Sequence, residues 1–296
     1  MNIDDLYNSF GMEPPSEDDK AGEPLLEKEN KIRTRIYHSL GWGRQQRPLR
    51  WVMISSAASV VLLVMVGLYW YFNTQGSSSD MVAVVVPAGH TQHITLPDGS
   101  EVWLNAASVF RYPTQFGDTR EVYLEEGEGF FQIKRDTTAP FTVHSQHLNT
   151  KVLGTSFRVK AYKELSHEIV TVVSGKVSVY QGETALTVLE KDQEVKYSKI
   201  SQAPVALEVS SEDAVNWTKG KIILKSVSFE DIIMAIENAY QVRIVYDHSN
   251  FQSCESSIHF SVDQPLEDVM DLLKDIQGID YRIAGKEVMV TGKGCL

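Results

Sequence analysis

Cysteine is nearly absent from this chain: Cys254 and Cys295 are the only two in 296 residues. Two cysteines cannot build a disulfide framework, and their separation does not fit a zinc knuckle. They form either one disulfide, tying the last residues to the loop before SIHFSV, or two free thiols, because separation along the chain gives no Cα distance. Positive charge is also scarce. Lys and Arg number 28 against 39 Asp and Glu, a formal net charge of −11. Phosphate repels so acidic a chain, which argues against general nucleic-acid binding. No Ser/His/Asp order, phosphate loop or dinucleotide fingerprint occurs, so neither a turnover enzyme nor a cofactor is expected. The pairs His90/His93 and His144/His147 lie in stretches that read as strands. Residues three apart on a strand point to opposite faces, and no metal is expected at either pair.

Charge of either sign is missing over residues 51–72, WVMISSAASVVLLVMVGLYWYF. As a helix this run would be roughly 33 Å long, enough for a hydrocarbon core of about 30 Å. Trp51 marks one end and Tyr69, Trp70 and Tyr71 the other, where amphipathic rings favour the interface. A buried core helix would show a polar face, and a cleaved leader would lie nearer the start. Lys31, Arg33, Arg35, Arg44, Arg47 and Arg50 precede the run, and the next basic residue is Arg111. The positive-inside rule then puts residues 1–50 in the cytoplasm and residues 73–296 across the membrane. In a bacterium that compartment is the periplasm, or the exterior if there is one membrane.

The first 30 residues are acidic and broken by Pro14, Pro15 and Gly22, which predicts disorder in isolation. Beyond them, Leu25, Ile32, Ile36 and Leu40 recur near helical spacing with Lys31, Arg33 and Arg35 between. Two readings stand for this helix. It lies on anionic lipid, or it binds a partner and orders on contact.

From Val82 to Gln202, short runs rich in Val, Ile, Phe, Tyr and Thr alternate with turn signals. HITL, Pro97-Asp98-Gly99 and EVWL form a strand-turn-strand pattern. A two-sheet all-β domain is expected over 82–202. Residues 203–215 read as a linker. Residues 216–296 predict a small α+β domain in the order β-α-β-β-α-β-β. Its signals are a capping box at Ser228–Asp231, Pro265 at the first position of a second helix, and a hairpin around Ala284-Gly285-Lys286. The fold class is thus mixed: one transmembrane helix, an all-β domain and an α+β domain.

A series of blocks in this region resembles a known family. It runs Leu96-Pro97-Asp98-Gly99-Ser100, Val102-Trp103-Leu104-Asn105, Arg111-Tyr112-Pro113 and Arg120-Glu121-Val122-Tyr123-Leu124. Gly127-Glu128, Pro140-Phe141-Thr142-Val143, Val152-Leu153-Gly154-Thr155-Ser156-Phe157, Ala161-Tyr162 and Ser174-Gly175-Lys176-Val177 follow in order. Together these blocks resemble the FecR-type anti-sigma factors. Gly129 and Phe130 stand where that family often has Ala-Tyr, and Arg158 where it usually has Asn. The α+β end resembles the small secretin/TonB N-terminal modules.

The resemblance implies a single-pass inner-membrane regulator. Its cytoplasmic partner would be an extracytoplasmic-function (ECF) sigma factor, held through Ile32, Arg33, Arg35, Ile36 and Leu40. Its periplasmic partner would be the signalling domain of a TonB-dependent outer-membrane transporter. That partner would dock by pairing edge strands, with Val288, Met289 and Val290 as the candidate edge. Some members are cleaved at a Gly-Thr bond, which here is Gly154–Thr155. The pair is a candidate for self-cleavage, in which the Thr155 hydroxyl attacks the Gly154 carbonyl, the acyl group shifts from nitrogen to oxygen, and water hydrolyses the ester. A membrane-anchored periplasmic scaffold without a sigma partner is the alternative.

Overall fold

In the computed structural model, residues 10–11, 29–35, 61–70, 80–252 and 254–294 are described. The chain divides into two compact units, residues 1–76 and 77–296. In the first, residues 29–35 and 61–70 are helical. Among the described residues no helix is long and apolar enough to cross a membrane. The remainder of the apolar run 51–72 lies outside them, as do Ile36 and Leu40.

The second unit begins with thirteen strands: β1 (Met81–Val86), β2 (Gln92–Thr95), β3 (Glu101–Leu104), β4 (Ser108–Pro113), β5 (Arg120–Gln132), β6 (Phe141–His144), β7 (Asn149–Val152), β8 (Ser156–Ala161), β9 (His167–Ser174), β10 (Lys176–Gln181), β11 (Thr184–Glu190), β12 (Gln193–Ser198) and β13 (Ala203–Glu208). The long strand β5 belongs to two sheets. Its first half pairs with β4 and β6, its second half with β3 and β8. The change of partners falls at Gly127, whose φ is +101°. A side chain there would run into Ser108, so only glycine fits both the angle and the space. The two sheets share one core, to which Phe110, Phe141 and Val179 contribute from one side and Phe131, Phe157 and Tyr197 from the other.

Residues 203–208, expected as linker, are instead the last strand of this domain, paired with β12 from Gln193↔Glu208 to Ser198↔Ala203. Every residue of β13 is exposed. No face is buried, so no alternation marks it as a strand. The 3-10 helix Asp213–Lys219 follows and buries Trp217.

The C-terminal domain has its own core around Phe229, Ile236, Met270 and Val288. Its elements are β14 (Lys221–Ser228), α1 (Phe229–Tyr240), β15 (Arg243–Val245), β16 (Glu255–Ser261), α2 (Leu266–Gln277), β17 (Asp280–Ala284) and β18 (Glu287–Thr291). Ser228 caps α1, accepting the Asp231 N–H at 3.3 Å while its hydroxyl donates to the Asp231 carboxylate at 2.7 Å. Pro265 is the N-cap of α2 rather than its first residue.

One expectation is overturned here. Val288, Met289 and Val290 do not lie on an edge. β18 is the middle strand of the order β15-β18-β17, paired in parallel with β15 and antiparallel with β17. Its backbone is used on both sides, and Val288 and Val290 are core. The last strand of a hairpin reads as an edge in sequence. The parallel partner, more than forty positions upstream, is a long-range pairing that local pattern does not carry.

Candidate functional site

The family-like blocks resolve into clamps that hold the all-β domain. Asp98 accepts from the Ser100 N–H at 2.9 Å, the Ser100 hydroxyl at 2.8 Å and Arg120 Nη1 at 2.8 Å. Arg120 also donates to the carbonyls of Ala139 and Lys134. One buried guanidinium therefore fastens the turn carboxylate to both ends of the loop between β5 and β6. Tyr162 donates its hydroxyl to the Ala106 carbonyl at 2.8 Å. Burial pushes that phenol well above its ordinary range.

Gly154 and Thr155 are equally embedded. Gly154 has φ +145°, and any side chain there would meet the Arg135 backbone. Thr155 is buried and donates its hydroxyl to the Lys176 carbonyl at 2.8 Å. Both residues therefore have packing roles independent of any cleavage.

The polar clusters that the sequence did not mark lie where the two domains of the second unit meet. On β8, Arg158 and Lys160 alternate with the core residues Phe157 and Val159, so both cations face away from the β core. The register places Arg158 opposite Thr171 and Phe130, and Thr171 opposite Glu194. Arg158 spans two carboxylates, with Nη1 at 3.3 Å from Glu128 and Nη2 at 3.1 Å from Glu194. Thr171 donates to Glu194 at 2.5 Å, and Asn105 Nδ2 donates to Glu128 at 2.8 Å.

Lys160 crosses the junction. Its Nζ lies 2.6 Å from Asp231 Oδ1 on α1, and His167 Nε2 lies 3.2 Å from the same oxygen. All three side chains are buried. Burial pushes the Asp231 carboxyl up, but Lys160 and His167 together outweigh it and hold the group well below the usual carboxylate range. Asp231 thus closes the cap of α1 and meets both Lys160 and His167 of the other domain. Two turns along α1, the Asn238 carbonyl accepts the Gly89 N–H at 2.7 Å. Gly89 has φ +74°, and a side chain there would collide with Gln241. Between these two attachments lies a cavity of about 190 Å³, lined among others by Glu128, Arg158, Tyr162 and Trp217.

The residues singled out from sequence do not gather at this junction. Ile32, Arg33 and Arg35 lie on the helical turns at 29–35, all exposed. Met289 is 52% exposed on the open face of its sheet, while its neighbours Val288 and Val290 point into the core. Among the described residues no three His, Cys, Asp or Glu side chains are placed to hold a metal ion. His144 contacts Asn149 and Glu121, while His147 contacts the buried Glu168 at 2.5 Å. Cys254 is disulfide-bonded; Cys295 lies outside the described residues.

Comparison with known proteins bears on the whole of this second unit. Residues 82–178 match the family described as FecR protein, and residues 221–290 match FecR, C-terminal. No curated protein matches the chain. Two crystal structures, at 2.50 and 1.65 Å, of a candidate anti-sigma factor from Parabacteroides distasonis each superpose with a TM-score of 0.67 at 30% identity. The likeness covers 71% of this chain and 98% of that one. On these matches, spanning both domains, the chain belongs to the FecR family.

Proposed function

We propose that the chain is a single-pass inner-membrane anti-sigma regulator, with residues 1–50 in the cytoplasm and the FecR and C-terminal domains in the periplasm. The observation that carries the reading is the match across both domains, together with the candidate anti-sigma factor whose structure overlaps them at 98% of its own length. The cytoplasmic partner is an ECF sigma factor, held by the stripe Ile32, Ile36 and Leu40 with Arg33 and Arg35. The periplasmic partner is the signalling domain of a TonB-dependent transporter. The chain performs no turnover chemistry in this reading.

One helix transmits conformational information poorly, so the signal passes by moving a bound partner or by cutting the chain. Tags at both ends of the chain test for a cut at Gly154–Thr155. The domain junction is the natural input point, because Asp231 couples the start of α1 to the all-β domain.

Topology is tested directly. A reporter that works only in the periplasm is expected to be active when fused after Gln75. It is expected to be silent when fused at Ser39 with residues 51–72 deleted. The reverse pattern would remove the anti-sigma reading, because the sigma-binding segment would then lie on the wrong side.

A further inference from the structure

β15 ends its sheet, so among the described residues no strand adjoins one side of its backbone. The Arg243 N–H donates to the Lys286 carbonyl at 2.8 Å, towards β18. Alternation turns the next N–H, that of Ile244, outward. It donates instead to Glu237 Oε1 at 2.6 Å. A carboxylate from α1 therefore sits where the carbonyl of an adjoining strand would sit.

A groove of about 810 Å³ runs beside this edge. Glu164 and Leu165 line it from the all-β domain; Glu230, Glu237, Ile244 and Tyr246 line it from the C-terminal domain. None of the three glutamates has an ion-pair partner among the described residues. They are close enough to act on one another's surroundings. Burial pushes the Glu237 carboxyl up against the opposing pull of the Ile244 N–H and Arg243, and Glu164 adds to the rise, while burial with Glu230 and Glu237 pushes the Tyr246 phenol up to about 12. Arg243 and Lys286 also line the groove, and Val245 leaves 41% of its surface exposed.

We propose that this groove receives an extended segment bearing Lys or Arg, contributed by the periplasmic partner, which adds to β15 as a further strand. Its carbonyl takes the Ile244 N–H from Glu237. The displaced carboxylate, with Glu164 and Glu230, then faces the incoming cations. Main-chain pairing of this kind supplies affinity, and the side-chain charges supply selectivity. The inference rests on the reading that the C-terminal domain meets a transporter's signalling domain, and it moves the contact from β18 to β15.

The test uses the full-length protein in detergent and the purified periplasmic signalling domain of the transporter whose ligand triggers the response. Glu164→Lys, an exposed position, is expected to weaken binding about tenfold, more at low salt than at high. In Glu237→Ala, the free protein is expected to exchange the Ile244 amide about tenfold faster than wild type, and the signalling domain is expected to restore its protection. Binding that ignores Glu164→Lys, or an Ile244 amide left unprotected in the complex, would overturn the groove while leaving the partner in place. A signalling domain that does not bind the wild-type chain at all would overturn the partner assignment, and the groove with it.

Discussion

Replacing Asp231 by Ala is expected to cost about 3–5 kcal/mol, because it strands the buried Lys160 and His167 and removes the side chain that closes the cap of α1. The loss divides between docking of the two domains and stability of the helix. Asp231→Asn separates the two. It keeps an oxygen for the cap and loses the charge that Lys160 and His167 face. Lys160→Met in the Asp231→Asn background is expected to recover part of the loss, since an apolar isostere of a broken buried pair is often neutral. The carboxyl is held low in the folded protein. Its contribution is therefore fully present above the unfolded value of about 3.9, and is lost as pH falls through the lower folded value. Denaturant titration of wild type, Asp231→Asn, Lys160→Met and the double variant gives the coupling directly. Strictly additive losses would show that Lys160 and Asp231 do not act as a pair.

Arg158→Ala is expected to be as damaging, again about 3–5 kcal/mol, because one guanidinium neutralises both Glu128 and Glu194. Arg158→Lys is the sharper variant. A single ammonium does not reproduce a fork that reaches one carboxylate from each terminal nitrogen, so it is expected to restore only part of the loss. Combining Arg158→Met with Glu128→Gln and Glu194→Gln is expected to bring stability back towards wild type. A full loss that persists in this triple variant would assign Arg158 a packing role through its stem rather than an electrostatic one. The structure gives an arginine at this position a reason. Glu128 and Glu194 are both buried on its face of the sheet and need a cation between them.

Much of the scaffold was legible because alternation and turn chemistry are local. The strand-turn-strand at Pro97-Asp98-Gly99 appears as β2, turn and β3, and the box at Ser228 caps α1 as expected. What local pattern lacks is the partner of a strand. β13 is exposed on both faces and carries Pro204, so it looks like linker until its ladder to β12 is seen. β18 looks terminal until β15 pairs with it from the other side. The junction was hidden for a related reason. Arg158 and Lys160 in SFRVKA read as the solvated face of a strand, which charged alternation normally marks. Only the arrival of α1, some seventy residues later in the chain, turns that face into an interior. The signal that was present is Asp231, an acidic residue at the third position of a capped helix; its second task, facing another domain, is not written in its neighbours.

An anti-sigma role requires the cytoplasmic contact. The direct measurement is co-purification of the full-length protein, extracted from its own membrane, with the cell's ECF sigma factors. The wild type is expected to retain one such sigma factor in near-equal amount. Ile36→Asp, which places a charge in the apolar stripe, is expected to abolish that retention while the protein still inserts in the membrane. A wild-type protein that carries no sigma factor, or an Ile36→Asp protein that carries it undiminished, would contradict the account.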